Sequence, residues 1–249
     1  MSDASLPVTP RLSATILLLR DSPLEVLMVR RHKEQFFASA LVFPGGTVDD
    51  SDRSDDWLPH VAGGHSLTRE ERALRIAAFR ETFEESALLL ARHEDGAPVV
   101  SADGDTSDFR AVVERSGGKL WLDDLAHFGH WITPEPASQR YDTHFFLTMA
   151  PAGQEPRCDG NEAVALEWVK PVEVISRAAS EGKKILFPTR LNLQRLAKSD
   201  CGSEAMEAAR LRPRFTVLPR VENREGGIVV VIPAEAGYDD TEDYRPHGK

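Results

Sequence analysis

Apolar, β-branched runs alternate with helix-periodic segments along the chain, and this alternation predicts an α/β domain. Two strand-like runs, Ser13–Leu19 and Glu25–Arg31, flank a turn. A long helical run follows from Thr68, and two further strand-like runs lie at Leu125–Ile132 and Tyr141–Met149. With 249 residues and 41% hydrophobic content, the chain can build one large domain or a domain with a substantial extension.

Residues 1–10 are polar, carry Pro7 and Pro10, and are expected to form a loose arm. Ser13–Leu19 reads as a buried strand, Asp21-Ser22-Pro23-Leu24 as a turn, and Glu25–Arg31 as the returning strand. Arg30 and Arg31 end that strand, where they are either a solvated edge or a pair of cations facing substrate phosphate. Leu41–Val48 is strand-like and contains Pro44-Gly45-Gly46, a turn whose backbone can approach a ligand closely. Residues 49–67, rich in Asp, Gly, Ser and His, are expected to be a surface loop anchored by Trp57-Leu58.

The central helix is expected from Thr68 to His93. Thr68 with Glu71 three residues on fits a capping box. At about 100° per residue, Ile76, Phe79, Phe83, Ala87 and Leu90 form one stripe, and Glu81, Glu84 and Glu85 gather on the opposite side. Beyond it, Glu94–Asp108 is a polar connection, Phe109–Arg115 a short helix that Leu120–Leu125 extends, and Thr133–Pro136 a loop between two strands. Gly160–Val169 ends in another strand. Helices follow at Pro171–Gly182 and from Pro188, each opened by Pro in its first turn. Glu204–Leu211 reads as a helix, Arg214–Leu218 and Ile228–Ile232 as a hairpin pair, and residues 234–249 as a disordered or loosely attached tail.

A net charge of −10 argues against a nucleic-acid partner, since neutralising phosphates takes clustered Lys and Arg. The two cysteines, Cys158 and Cys201, lack metal-ligand spacing and imply reduced thiols. The N-terminal residues lack a signal pattern, and the longest apolar runs are too short to span a bilayer. A cytoplasmic protein without membrane partners is the expectation.

Glu81, Glu84 and Glu85 repel one another on a bare helix, and no Lys lies between Lys33 and Lys119 to relieve them. Magnesium prefers oxygen ligands and is held by one or two carboxylates plus substrate phosphates, so a hard dication turns this repulsion into a site. Arg80, four residues before Glu84, can steady one carboxylate. A merely solvated acidic face is the competing interpretation.

Phe43-Pro44-Gly45-Gly46 together with Arg80-Glu81-x-x-Glu84-Glu85 resembles the Nudix hydrolase signature: Gly, five residues, Glu, seven residues, then Arg-Glu-x-x-Glu-Glu-x-Gly. Three departures stand out. Gly46 to Arg80 is far longer than the family spacing, implying an insertion near residues 51–70. Counted back from Arg80, Arg72 stands at the position of the first Glu. Ala87 replaces the final Gly.

The resemblance implies a Nudix-type α/β/α sandwich over residues 11–198, with a mixed β-sheet, a Glu-rich catalytic helix and an extension at 199–233. It implies hydrolysis of a small-molecule diphosphate substrate with Mg²⁺ or Mn²⁺ held by Glu81, Glu84 and Glu85. Arg80, Glu81 and Glu162 would be catalytic. Glu162 would be the base or a further ligand, unless it is only a solvated turn residue. Substrate contacts are expected from Arg30, Arg31, Phe43, Gly45, Gly46, Arg140 and Tyr141, with Phe145 and Phe146 in the core. A homodimer is compatible with the pattern. Trp131-Ile132-Thr133-Pro134 and Pro188-Thr189-Arg190 are similar to the branch that includes peroxisomal coenzyme A diphosphatases. The Arg and Gly of its coenzyme A pattern are replaced by Gln35 and Ser39, so ADP-ribose or nucleotide sugars are comparably expected substrates. The alternative is a Nudix-fold binding or regulatory module without turnover.

Overall fold

The computed structural model describes residues 8–31, 41–100, 108–135, 137–158, 163–181 and 185–247. Arg11–Arg20 forms β1, whose Ala14, Ile16 and Leu18 join one apolar cluster while Leu17 and Leu19 join another. A strand buried on both faces needs a near-continuous apolar run, and that is what this segment carries. β2 (Glu25–Arg31) pairs antiparallel with β1. The short β3 (Leu41–Val42) pairs with β2, and β4 (Gly45–Thr47) pairs antiparallel with β1.

Residues 50–62 depart from the expected surface loop. Asp50–Arg53 and Asp55–His60 are 3₁₀ turns, followed by β5 (Val61–Ala62). Trp57 is buried, tilted against Phe109 at 5.6 Å, and fastens the segment to the body, while Leu58 is exposed.

The helix α1 spans Arg69–Ser86, opened by the Thr68–Glu71 capping box. It stops seven residues short of His93. Ala87 turns into the left-handed region (φ 58°) and donates its N–H to the Phe83 carbonyl. The stripe therefore holds for Ile76, Phe79 and Phe83, whereas Ala87 is an exposed cap and Leu90 lies beyond the helix.

Next come α2 (Phe109–Ser116), β6 (Leu120–Trp121), β7 (Ala126–Ile132), β8 (Tyr141–Met149) and β9 (Ala163–Val169). Leu120–Leu125 does not extend α2, because Gly117 caps that helix at φ 66°. Three helices, α3 (Pro171–Glu181), α4 (Phe187–Leu196) and α5 (Gly202–Leu211), are followed by β10 (Thr216–Val217), β11 (Arg220–Arg224), β12 (Gly227–Val231) and β13 (Glu242–Pro246).

Among the described residues the main sheet runs β10-β7-β8-β1-β2-β3, with β4 on β1 and β9 on β2. Its β8–β1 and β10–β7 pairs are parallel and the rest antiparallel. One face packs against α1 and α2, and the other against α4 and α5, which makes the α/β/α sandwich.

The expected hairpin of Arg214–Leu218 with Ile228–Ile232 does not form. β10 joins β7, and β12 pairs instead with β11 and β13. Residues 234–247 are not a loose tail either. Tyr238 is buried, with its hydroxyl donating to Asn192 Oδ1 and accepting from Trp131 Nε1, and Arg190 binds Asp240 at 2.6 Å. These contacts are non-local, so local composition alone could not reveal them. Among the described residues, no helix is long and apolar enough to cross a membrane.

Candidate active site

The carboxylates of α1 meet the β1–β4 ladder. Ala14 of β1 lies opposite Gly46, and a Cβ on Gly46 would come within 2.3 Å of the Glu81 carboxylate. Gly45 donates its N–H to Glu85 Oε2 at 3.0 Å. A Cβ there would lie 2.4 Å from the Ala14 carbonyl oxygen. Both glycines are thus needed for close approach, Gly46 to a flexible carboxylate and Gly45 to fixed backbone. Expected as substrate contacts, they lie against the Glu patch, and what they touch is the protein's own acidic groups.

Arg80 organises the cluster. Its guanidinium is nearly buried, with Nη1 donating to Glu81 Oε1 at 2.8 Å and to Glu84 Oε2 at 3.0 Å. Nη2 donates to the Thr47 carbonyl at 2.9 Å. The other edge donates to Asp52, Nε to Oδ1 at 3.0 Å and Nη2 to Oδ2 at 2.9 Å, a bidentate fork. Asp52 Oδ2 also accepts the Asp49 N–H at 2.8 Å. Burial alone would lower the Arg80 pKa, but the hydrogen bonds it donates to Asp52 and the charges of Glu81, Asp52 and Glu84 hold it above the ordinary value. The Glu84 carboxyl is pushed up, first by desolvation and further by Asp52 and Asp49, against the opposing pull of Arg80. Glu85 is buried, Glu81 half-buried, and the Glu84 side chain about half exposed, at 47%.

Asp52 is absent from the candidate site read off the sequence. Counted back from Arg80 the position falls on Arg72, which instead pairs with Asp55 at 2.8 Å. Five intervening residues after Gly46 lead to Asp52, so an acidic residue stands at that position of the signature and the insertion begins after it.

The remaining candidates divide. Phe43 is core: it is 3% exposed and meets Phe145 edge-on at 6.4 Å, so its side chain is not available to a substrate. Arg140 is likewise buried and committed, donating Nε to the Thr133 carbonyl and Nη1 to the Val8 carbonyl, both at 2.9 Å. These two expectations fail because an aromatic and a cation near a loop served structural needs first. Tyr141 opens β8 beside Arg11 of β1, half-buried, with its hydroxyl donating to Gln139.

Arg30 binds Glu167 at 2.7 Å on the sheet face that Met28 shares, away from α1. Arg31 pairs through its backbone with Ala163, and its side chain lies outside the described residues. Glu162, Gln35 and Ser39 also lie outside them. Phe145 and Phe146 are core, as expected.

The donor set fits a hard dication. Glu81, Glu84 and Glu85 offer oxygen alone, and a single Arg80 nitrogen already draws Glu81 and Glu84 together as a cation would.

A family model describing the NUDT19 Nudix domain matches residues 62–196. The chain is 30% identical over 230 residues to the acyl-coenzyme A diphosphatase NUDT19 of Xenopus laevis, covering 70% of this chain and 60% of that protein. It is 27% identical to the protein of the same name from Gallus gallus, covering 90% of this chain and 75% of the relative. It therefore spans well under the full length of the frog protein. A crystal structure of a Nudix hydrolase from Alicyclobacillus acidocaldarius superimposes with a TM-score of 0.70 at 28% identity, covering 83% of this chain and 99% of that one.

Proposed function

The chain belongs to the Nudix hydrolase family, and from that membership we propose that it hydrolyses the diphosphate linkage of a coenzyme A-type substrate, with Mg²⁺ or Mn²⁺ held by Glu81, Glu84 and Glu85. The observation that carries this reading is the convergence of those carboxylates with Arg80 on the Gly45–Gly46 backbone.

When bound, the dication neutralises phosphate charge and lowers the pKa of the attacking water. The residues themselves set the geometry. Asp52 fixes the Arg80 guanidinium, Arg80 in turn orients Glu81 and Glu84, and the Gly45 N–H holds Glu85. Phosphoryl-type transition states depend mainly on positioning and electrostatics, so a rigid acidic patch of this kind suits the reaction. Glu162 is the proposed acceptor of the water proton. The half-buried Tyr141 at the start of β8 is the proposed substrate contact among the loop residues, with Arg31 as a further candidate cation. Retention of the buried Asp52–Arg80 pair behind the carboxylates argues against a non-catalytic binding module, which has no need of that support.

The coenzyme A class is favoured by the names of the frog and chicken relatives, while Gln35 and Ser39 depart from the coenzyme A pattern. Competition among coenzyme A, ADP-ribose and nucleotide sugars at equal concentration with Mg²⁺ tests the choice. Cleavage of coenzyme A to 3′,5′-ADP at least about tenfold faster than the others is expected, a difference of about 1.4 kcal/mol in the barrier. Preference for ADP-ribose or a nucleotide sugar would overturn the substrate class while leaving the hydrolase reading intact.

A further inference from the structure

A second group of metal-ligand side chains lies on the same sheet face as α1, two strands away from Gly46. Asp142 and His144 alternate along β8 and so share a face, and His130 of β7 stands directly opposite His144 in the antiparallel register. His144 is in turn opposite Ala14 of β1, and Ala14 is opposite Gly46. At about 4.8 Å per strand, this row sets His144 roughly 10 Å from the glycine that touches Glu81. Among the described residues, His130, Asp142 and His144 are the one group of three or more His, Cys, Asp or Glu side chains whose ligand atoms all lie within 4.8 Å of one another.

We propose that His130, Asp142 and His144 form a separate binding site for a transition-metal dication such as Zn²⁺. The chemistry differs from that of the Glu patch: two imidazoles and one carboxylate suit zinc and its neighbours, whereas magnesium takes oxygen ligands.

Metal–nitrogen and metal–oxygen bonds of about 2.0–2.1 Å in a tetrahedral site put ligand atoms roughly 3.3 Å apart. Here His130 Nε2 and Asp142 Oδ1 are 2.5 Å apart, and His144 Nε2 and the same oxygen 3.9 Å, so sub-ångström shifts reach that spacing from either side. The two imidazoles stack with centroids 3.9 Å apart and 23° between planes, and a tilt at each would aim both nitrogens at one ion. Thr216 Oγ1 lies 2.8 Å from His130 Nδ1, the kind of outer contact that fixes a ligating ring with its other nitrogen toward the metal. All three side chains are partly exposed, leaving a path for an ion and room for water or an anion as a further ligand. Of the nearby cations, Arg214 is paired with Glu71 and Arg75 covers the Phe146 ring.

The test uses the full chain, stripped with a chelator and kept in excess Mg²⁺ so that the Glu patch is occupied. Titration with Zn²⁺ by calorimetry is expected to give one equivalent of binding, weakened about 100-fold or more in His130→Gln/His144→Gln. Co²⁺ is expected to give visible absorption bands in the wild type that the double variant lacks. Zn²⁺ should also shield both histidines of the wild type from diethyl pyrocarbonate, mapped by mass spectrometry, a readout that depends on no variant folding. Absence of stoichiometric binding, equal binding in the double variant, or unshielded histidines would overturn the site and leave a His130–Asp142 hydrogen bond under a stacked ring.

Discussion

Replacing Asp52 by Asn perturbs the support of the acidic patch without changing its volume. Asp52 is fully buried, and its Oδ2 accepts from both Asp49 N–H and Arg80 Nη2 while Oδ1 accepts from Arg80 Nε. An Asn amide placed at Oδ2 would point a donor at two donors; flipped, it would point one at Nε. Either way buried donors lose their acceptor. Breaking a buried pair by removing one charge costs about 3–5 kcal/mol, and the lower end applies because Arg80 keeps Glu81, Glu84 and the Thr47 carbonyl. We therefore expect Asp52→Asn to lose about 3 kcal/mol, which for a chain of this size lowers Tm by roughly 6–12 °C. Released from Asp52, Arg80 should also bind Glu81 and Glu84 more tightly and compete with metal there, so the Mg²⁺ concentration for half-maximal activity should rise. Denaturant unfolding and Mg²⁺ titration of the rate measure the two effects. Stability within about 0.5 kcal/mol of wild type, the range of an inert substitution, would refute the reasoning.

Two further substitutions follow from the backbone. Ala87 sits at φ 58°, where a Cβ costs about 1–2 kcal/mol, so Ala87→Gly should stabilise by about 1 kcal/mol after its greater unfolded-state freedom is allowed for, read by thermal unfolding. A destabilised variant would show that the cap is not strained. Gly45→Ala and Gly46→Ala should separate stability from activity. The first drives a Cβ into the Ala14 carbonyl and should destabilise, whereas the second displaces the flexible Glu81 carboxylate and should cut turnover with the fold intact. Unfolding and rate measurements on both check the contrast, and identical behaviour would contradict it.

Local pattern made much of this molecule legible. β1, β2 and β8 declare themselves because their apolar, β-branched runs are buried, and α1 begins where its capping box says. Its end was hidden because Ala87 occupies a left-handed cap position usually marked by Gly. The Glu patch is legible because three like charges crowd one side of the helix with no Lys interleaved. Asp52 was obscured by the 27 residues between it and Arg80, a separation that only folding closes. Phe43 and Arg140 show the converse: residue type and loop proximity suggested substrate contact, while tertiary packing gave one to the core and the other to two backbone carbonyls. The C-terminal strands pair with partners whose identity rests on non-local contacts such as Tyr238 with Asn192, beyond the reach of periodicity.

The central claim is that Glu81, Glu84 and Glu85 form a metal-dependent hydrolytic centre, and the most direct measurement is diphosphate cleavage by wild type and Glu85→Gln with and without Mg²⁺. Gln keeps an acceptor for the Gly45 N–H, so the fold should persist while the charge of one proposed ligand is lost. The wild type is expected to cleave only with the dication present, and Glu85→Gln to fall by about 10²-fold or more at saturating Mg²⁺. Equal rates in the two proteins, or cleavage by wild type that is indifferent to Mg²⁺, would contradict the assignment.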